Sequence, residues 1–474
     1  MQPYSSMKIF LLVLIASSSS AFAELKLAKI FNDNMVLQRN QPLKIWGTAS
    51  AKERISVKIG RTTKSSQAGE DGRWEITLPA QKTSKKGLKL FVRGKKDMIT
   101  LKNILIGEVW FCAGQSNMES PINHNKDCKE IIATSKNPQI RVSAIHVATS
   151  AKPLEDLGKF NSWRESSPAG LQCGVEGTRY ISAVAYCFAR EMQKQLDCPV
   201  GIIVSAWGGT LIDAWSPQSA IDAGKGLFSA GRGAKGKPSY IYNAMVKPVA
   251  GFAMNGLIWY QGEANINDGL KYKKKMKLMV DYWRKDWGRN FPLYYVQVAP
   301  YRYPKNKVTD LPNLWMAQSL AREDIKRSYM TVINDLGNFR DVHPLHKPEV
   351  ARRISLLVRR HGFKHKIVAD APEIKKVAYK SNKILLLYKY VGQGLKSRNE
   401  EDLSEFEIAG SDKVWQPATA TIKGKNIVSL SAKGLSKPKY FRFAWKDTPS
   451  TNLINSEGLP AATAISKSLI EDSE

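Results

Sequence analysis

The chain has 474 residues, 43% of them hydrophobic, with 12 Trp and a formal net charge of +30. That length exceeds one ordinary domain and predicts two or three, each with ample apolar material for a core. The positive balance invites a polyanion, but the lysines are spread along the chain without a nucleic-acid motif, which argues against nucleic acid and leaves acidic carbohydrate or a charged, solubilising surface.

Residues 1–23 contain Lys8, an apolar run over 9–16 and the small-x-small triplet Ala21-Phe22-Ala23. This pattern predicts a secretory signal peptide cleaved near Ala23 and hence a secreted or periplasmic protein. Glu24 follows the cut, so a lipoprotein is not expected. No other stretch approaches the roughly 20 apolar residues of a membrane span. Five cysteines (Cys112, Cys128, Cys173, Cys187, Cys198) in an oxidising compartment make one or two disulfides plausible with one left over. Cys112, in an apolar run, is expected as a buried free thiol. With no C-x-x-C and no His/Cys cluster, neither a metal nor a cofactor is expected.

Residues 24–104 alternate apolar and polar in short runs (Leu43/Ile45, Ile55/Val57/Ile59, Trp74/Ile76/Leu78, Leu88/Leu90/Val92), which predicts half-buried antiparallel strands in a small β-sandwich. From 105 to 365 the pattern becomes α/β: apolar strands at 109–112, 200–205, 256–260, 293–298 and 330–334 alternate with helices at 179–196, 315–326, 350–359 and one carrying Met276, Met279, Val280, Trp283 and Trp287 on one stripe. Such alternation predicts a mainly parallel sheet covered by helices on both faces. From 366 to 474 β-type alternation returns, either as a separate sheet or as a completion of the N-terminal sandwich.

Three glycine-containing turns each follow a buried strand, and turns at the carboxyl edge of one sheet converge in space. The first presents Ser116, the second carries Gly208 and Gly209, and the third carries Gln261, Glu263 and Asn265. A serine needs a base and oxyanion donors, for which the backbone N–H groups of the Gly208-Gly209 turn and the Asn265 amide are candidates. Among six histidines, His343 follows the last buried strand and has Asp341 two residues before it.

Gly-Gln-Ser-Asn-Met (114–118), Trp-Gly-Gly-Thr (207–210), Trp-Tyr-Gln-Gly-Glu-Ala-Asn (259–265) and Asp-Val-His-Pro-x-x-Lys (341–347) together resemble the sialate O-acetylesterase family of the SGNH hydrolases. The resemblance extends over nearly the whole mature chain. It implies a flavodoxin-like α/β sheet and a serine esterase acting on acetylated sugars. It assigns Ser116 as nucleophile, His343 as general base, Asp341 as third member and the Ser116 N–H, Gly209 N–H and Asn265 side chain as the oxyanion hole, leaving open Gly208 in place of Gly209, Asp335 or a backbone carbonyl as orienter of the His343 ring, and His346 as a second base; Gln115, Gln261 and Glu263 are candidate substrate-binding positions, with a structural role open for Gln261 and Glu263. Ala351, His346 and Asn338 depart from the family pattern, where Gly, Asn and an acidic residue are usual. The expected substrate is 9-O-acetylated sialic acid, with acetylated xylan or another polysaccharide as the alternative and a non-catalytic glycan-binding protein as the remote one.

Overall fold

In the computed structural model, which describes residues 24–171 and 181–471, the strand that leads to Ser116 is far longer than its apolar run of four. It spans Met98–Gly114 and is buried at every position from Ile104 onward. Its first half pairs antiparallel with Ser84–Arg93, and its second half lies at the centre of a parallel arrangement. From edge to edge the strands run Phe160–Ser166, Asn137–Ile145, Val200–Ala206, Met98–Gly114, Gly256–Tyr260, Leu293–Val296 and Ser328–Thr331. All neighbours in this series are parallel except the first pair.

Side chains alternate between the two faces of the long strand, as a pleated backbone requires. Trp110 and Cys112 enter a core shared with Val184, Phe188, Val350 and Ile354, from the helices Ala183–Leu196 and Lys347–Leu357. Val109, Phe111 and Ala113 enter the opposite core, with Met276, Val280 and Trp283 of the helix Lys271–Trp287. That second core is continuous with Ile45, Val57 and Trp74 of the N-terminal strands. The expected 104/105 boundary therefore lies inside one strand and beside a shared core.

Three helix starts differ from expectation, the helix expected at 350–359 running Lys347–Leu357. Ala183–Leu196 begins later than position 179, because Ser182 caps it by accepting a hydrogen bond from Ala185 N–H at 3.2 Å. Asp310–Asp324 begins five residues before Trp315 and includes Pro312, which the first helical turn tolerates because its N–H would have no intrahelical partner.

The C-terminal strands form two four-stranded sheets and one two-stranded sheet, all antiparallel and, among the described residues, paired only with each other. They enclose their own core around Leu386, Phe406, Val428 and Phe443. Of the two arrangements open from sequence, the separate one is observed. Polar bonds dock this region on the α/β part, including Asn334 Nδ2 to the Ala461 carbonyl at 2.8 Å.

Cys112, Cys128, Cys187 and Cys198 are free thiols, so no disulfide forms among these four. Burial pushes the Cys187 thiol up to about 12 and the Cys198 thiol to about 11. Cys173 and the predicted signal peptide lie outside the described residues. No helix among the described residues is long and apolar enough to cross a membrane.

Candidate active site

Register brings the three turns together. Gly114 is paired with both Ala206 and Tyr260, so residues 115–118, 207–210 and 261–265 leave the sheet side by side. Gly114 has φ +149°, and a side chain there would lie 2.1 Å from the Tyr260 carbonyl oxygen, so this close approach requires glycine. Gln115 then donates its backbone N–H to Tyr260 O at 3.1 Å, and Ser116 opens the short helix Ser116–Glu119.

Gln115 and Gln261, candidate substrate-binding positions, tie the turns together from within. Both are buried. Gln115 Oε1 accepts from Gln261 Nε2 at 3.1 Å and from Ala264 N–H at 3.2 Å. Gln261 Nε2 also reaches Thr210 O at 3.0 Å, while its Oε1 accepts from the Tyr272 hydroxyl at 2.7 Å. These partners engage both ends of the Gln261 side chain, while Gln115 is held through its Oε1 and its Nε2 donates to nothing among the described residues.

Ser116 is half-buried, and its hydroxyl has no hydrogen bond among the described residues. Gly208 lies against it, close enough that a side chain there would sit 3.3 Å from Ser116 Cβ. The Gly208 N–H is given to Glu119 Oε2 at 2.6 Å, which removes it as the alternative oxyanion donor. The N–H groups of Ser116 and Gly209 carry no such bond among the described residues. Asn265 departs from its expected role. Its Nδ2 donates to Asp213 Oδ2 at 3.2 Å and Asp268 Oδ2 at 2.7 Å, and its Oδ1 accepts from Ile212 N–H at 2.9 Å and Gln261 Nε2 at 2.7 Å. Carboxylates only accept and N–H groups only donate, so these partners fix the amide orientation and use both of its donors.

The histidine loop lies against the serine turn: Asn117 Nδ2, next to the serine, donates to the Val342 carbonyl at 3.0 Å. His343 Nδ1 lies 3.2 Å from Asp341 Oδ1, which also accepts the His343 backbone N–H at 2.9 Å. Such a contact puts the proton on Nδ1 and leaves Nε2 as the basic nitrogen. Asp335 is excluded as the orienting carboxylate. It is clamped by Arg353 at 2.7 and 2.8 Å and by Arg398 at 2.6 Å. Burial alone would raise its pKa, but hydrogen bonds and charge from Arg353, then the charge of Arg398, bring it below the ordinary carboxylate value. His346 is exposed at the N-terminal cap of the helix Lys347–Leu357, and Asn338 lies in the preceding turn.

A buried polar cluster that residue spacing did not reveal underlies these loops. Asn117 Nδ2 donates also to Glu263 Oε1 at 2.5 Å, while Asn117 Oδ1 accepts from Lys347 Nζ at 2.8 Å. Lys347 Nζ donates in addition to the Pro344 carbonyl at 2.7 Å. Burial, only partly offset by the charges of Glu263 and Asp341, lowers the Lys347 pKa to about 7. Burial raises that of Glu263, whose Oε2 has no partner among the described residues. Glu263, like Gln261, is buried beneath the turns. On the solvent side, exposed Lys235 places Nζ 3.4 Å from the Gly208 carbonyl oxygen and 5.9 Å from the centre of the Trp207 ring.

The family model for carbohydrate esterases of the sialic acid-specific acetylesterase type matches residues 106–346. The human sialate O-acetylesterase is 25% identical over 92% of this chain and 90% of its own length. The mouse enzyme of that name is also 25% identical, over 93% of each chain. A solved carbohydrate acetylesterase from Xanthomonas citri superposes with a TM-score of 0.86 at 29% identity, covering 93% of this chain and 99% of that one.

Proposed function

Since the chain belongs to the sialic acid-specific acetylesterase family of carbohydrate esterases, we propose that it removes O-acetyl groups from an acidic sugar, 9-O-acetylated sialic acid, with Ser116 as nucleophile. The observation that carries this reading is the tie between the serine turn and the histidine loop, with Asp341 on the far nitrogen of His343. His343 Nε2 takes the Ser116 proton as Oγ attacks the acetyl carbonyl, and Asp341 steadies the resulting imidazolium. The Ser116 and Gly209 N–H groups receive the oxyanion, which needs donors already in place where charge develops. The imidazolium gives its proton to the departing sugar oxygen, which leaves as a hydroxyl. Water, deprotonated by the same histidine, then attacks the acetyl-serine ester and releases acetate, restoring the serine hydroxyl.

Lys235 supports the choice of an acidic sugar. Its exposed ammonium sits at the Gly208 carbonyl, one residue from the proposed Gly209 donor, where it can meet a substrate carboxylate. The flavodoxin-like SGNH arrangement, an α/β catalytic part with β-rich ends, and export to the periplasm or medium belong to the same proposal. Its supports are the strand order, the separate C-terminal core and the apolar run before Ala23.

Acetate release from O-acetylated sialic acid and from acetylated xylan, with native protein and Ser116→Ala, tests the reading. Native protein should favour the acidic sugar and Ser116→Ala should release no acetate from either. Equal turnover of xylan would overturn the substrate, and full activity of Ser116→Ala would overturn the serine mechanism.

A further inference from the structure

We propose that Lys347 is a positioning residue for His343, holding the histidine loop against the serine turn through Asn117 and through the Pro344 carbonyl; this rests on the reading of Ser116 and His343 as the reacting pair. The two peptide carbonyls flanking the histidine, Val342 O and Pro344 O, are both held by this cluster, the first by Asn117 Nδ2 at 3.0 Å and the second by Lys347 Nζ at 2.7 Å. Asn117 is the crossbar: its oxygen takes the Lys347 bond and its nitrogen serves Val342 O and Glu263 together. The next tie along the loop is the Lys126 N–H on the Leu345 carbonyl at 3.2 Å, two residues beyond the histidine. Pro344 has no N–H to donate, and the His343 N–H is turned back onto its own Asp341.

A buried ammonium is a weak source of stability, because desolvation consumes much of what its partners return. Lys347 is fully buried, and both of its hydrogen bonds end on groups that join the serine turn to the histidine loop. Such an arrangement suits ordering of the loop better than filling of the core, for which an apolar side chain of the same length would serve. The clamp does not depend on the charge. A neutral amine still has two N–H donors, one for each of the two oxygens. Glu263 adds a carboxylate on the other side of Asn117, which completes the tie to the third turn.

The test uses the whole protein and p-nitrophenyl acetate, a substrate too small to depend on sugar contacts. Lys347→Met, Asn117→Ala and the double variant are compared by kcat, KM and melting temperature, with Ser116→Ala and His343→Ala measured in parallel. Each single variant should lower kcat by roughly 10- to 100-fold, as a small misplacement of a catalytic group does, with KM little changed. The double variant should be no slower than the slower single, because both changes release one clamp. A folded Lys347→Met with unchanged kcat, a loss confined to KM, or losses that multiply would overturn the proposal. Should Lys347→Met fail to fold, Asn117→Ala decides: unchanged kcat overturns the clamp. Full activity of Ser116→Ala or His343→Ala would instead refute the serine mechanism; inactive Ser116→Ala and His343→Ala beside an active Lys347→Met would refute the clamp alone.

Discussion

Asn265 shows how the partners of a side chain decide its role. Both of its N–H groups end on carboxylates, and one of these, Asp213, is completely buried and also bonded to Lys275 Nζ at 2.9 Å. Removing the amide leaves buried acceptors short of a donor, so Asn265→Ala is expected to lower stability by about 1–3 kcal/mol, seen as an earlier urea midpoint. Asp341 is a different case, a half-exposed partner of a half-exposed histidine. Asp341→Asn should leave the fold intact and slow turnover by less than the roughly 10²–10⁴-fold that loss of a general base brings. Lys347 carries a pH signature of its own. Its pKa in the fold, about 7, lies below its value in the unfolded chain, so the folded state binds fewer protons between the two. Stability from this group therefore rises with pH above about 7, and below that the full cost of the buried charge is present. Lys347→Met should compare best with the native protein at pH 6 and worst near pH 10, with melting temperatures as the readout.

At the scale of elements, the long strand Met98–Gly114 sets the geometry by where it ends. Its last residue lies against the Tyr260 carbonyl, and this contact brings the first and third turns to a common level. Gly114→Ala places a methyl group into that oxygen in a backbone region that non-glycine residues avoid. The strain alone is expected to cost about 1–3 kcal/mol, and activity should fall further than stability because Ser116 is two residues away. The ion cluster of Asp335, Arg353 and Arg398 joins the last strand's turn, the helix Lys347–Leu357 and the C-terminal region. Breaking it with Asp335→Ala leaves buried Arg353 without this partner and should destabilise by roughly 3–5 kcal/mol, without the turnover defect of a catalytic residue. Asp335 has a pKa below its unfolded value, so its contribution is complete above the ordinary carboxylate range. It is lost only as pH falls through the lower, folded value.

For the whole molecule, the net charge of +30 creates a field that draws anions toward the protein. If the substrate is an acidic sugar, kcat/KM should fall as salt is raised from about 0.01 to 0.15 M, over which the screening length shortens from about 30 to 8 Å. Neutral p-nitrophenyl acetate should be nearly insensitive. Lys235→Gln separates the local cation from the overall field. It should reduce kcat/KM for the acidic sugar by about two- to fivefold, in keeping with an exposed ion pair, and leave the neutral ester unaffected.

The alternation of strands and helices was legible because period-two and period-3.6 patterns are local. The placement of Ser116, Gly208, Gly209 and Asn265 on turns after buried strands was legible for the same reason. The nearness of Asp341 to His343 could be read from a separation of two residues. What lay beyond the sequence was set by partners distant along the chain: Asp335 is claimed by Arg353 and Arg398, and the Gly208 N–H by Glu119. Gln115 Oε1 and both ends of the Gln261 amide are spent on the neighbouring turns, which the register of three strands brings side by side. The sequence by itself determined the residue types and the strand ends on which the site is built, since those follow from short-range pattern. Only the tertiary structure decided which donors remain open and which are spent, because a hydrogen bond is allotted by position in space, and Lys347 reaches Asn117 across 230 residues.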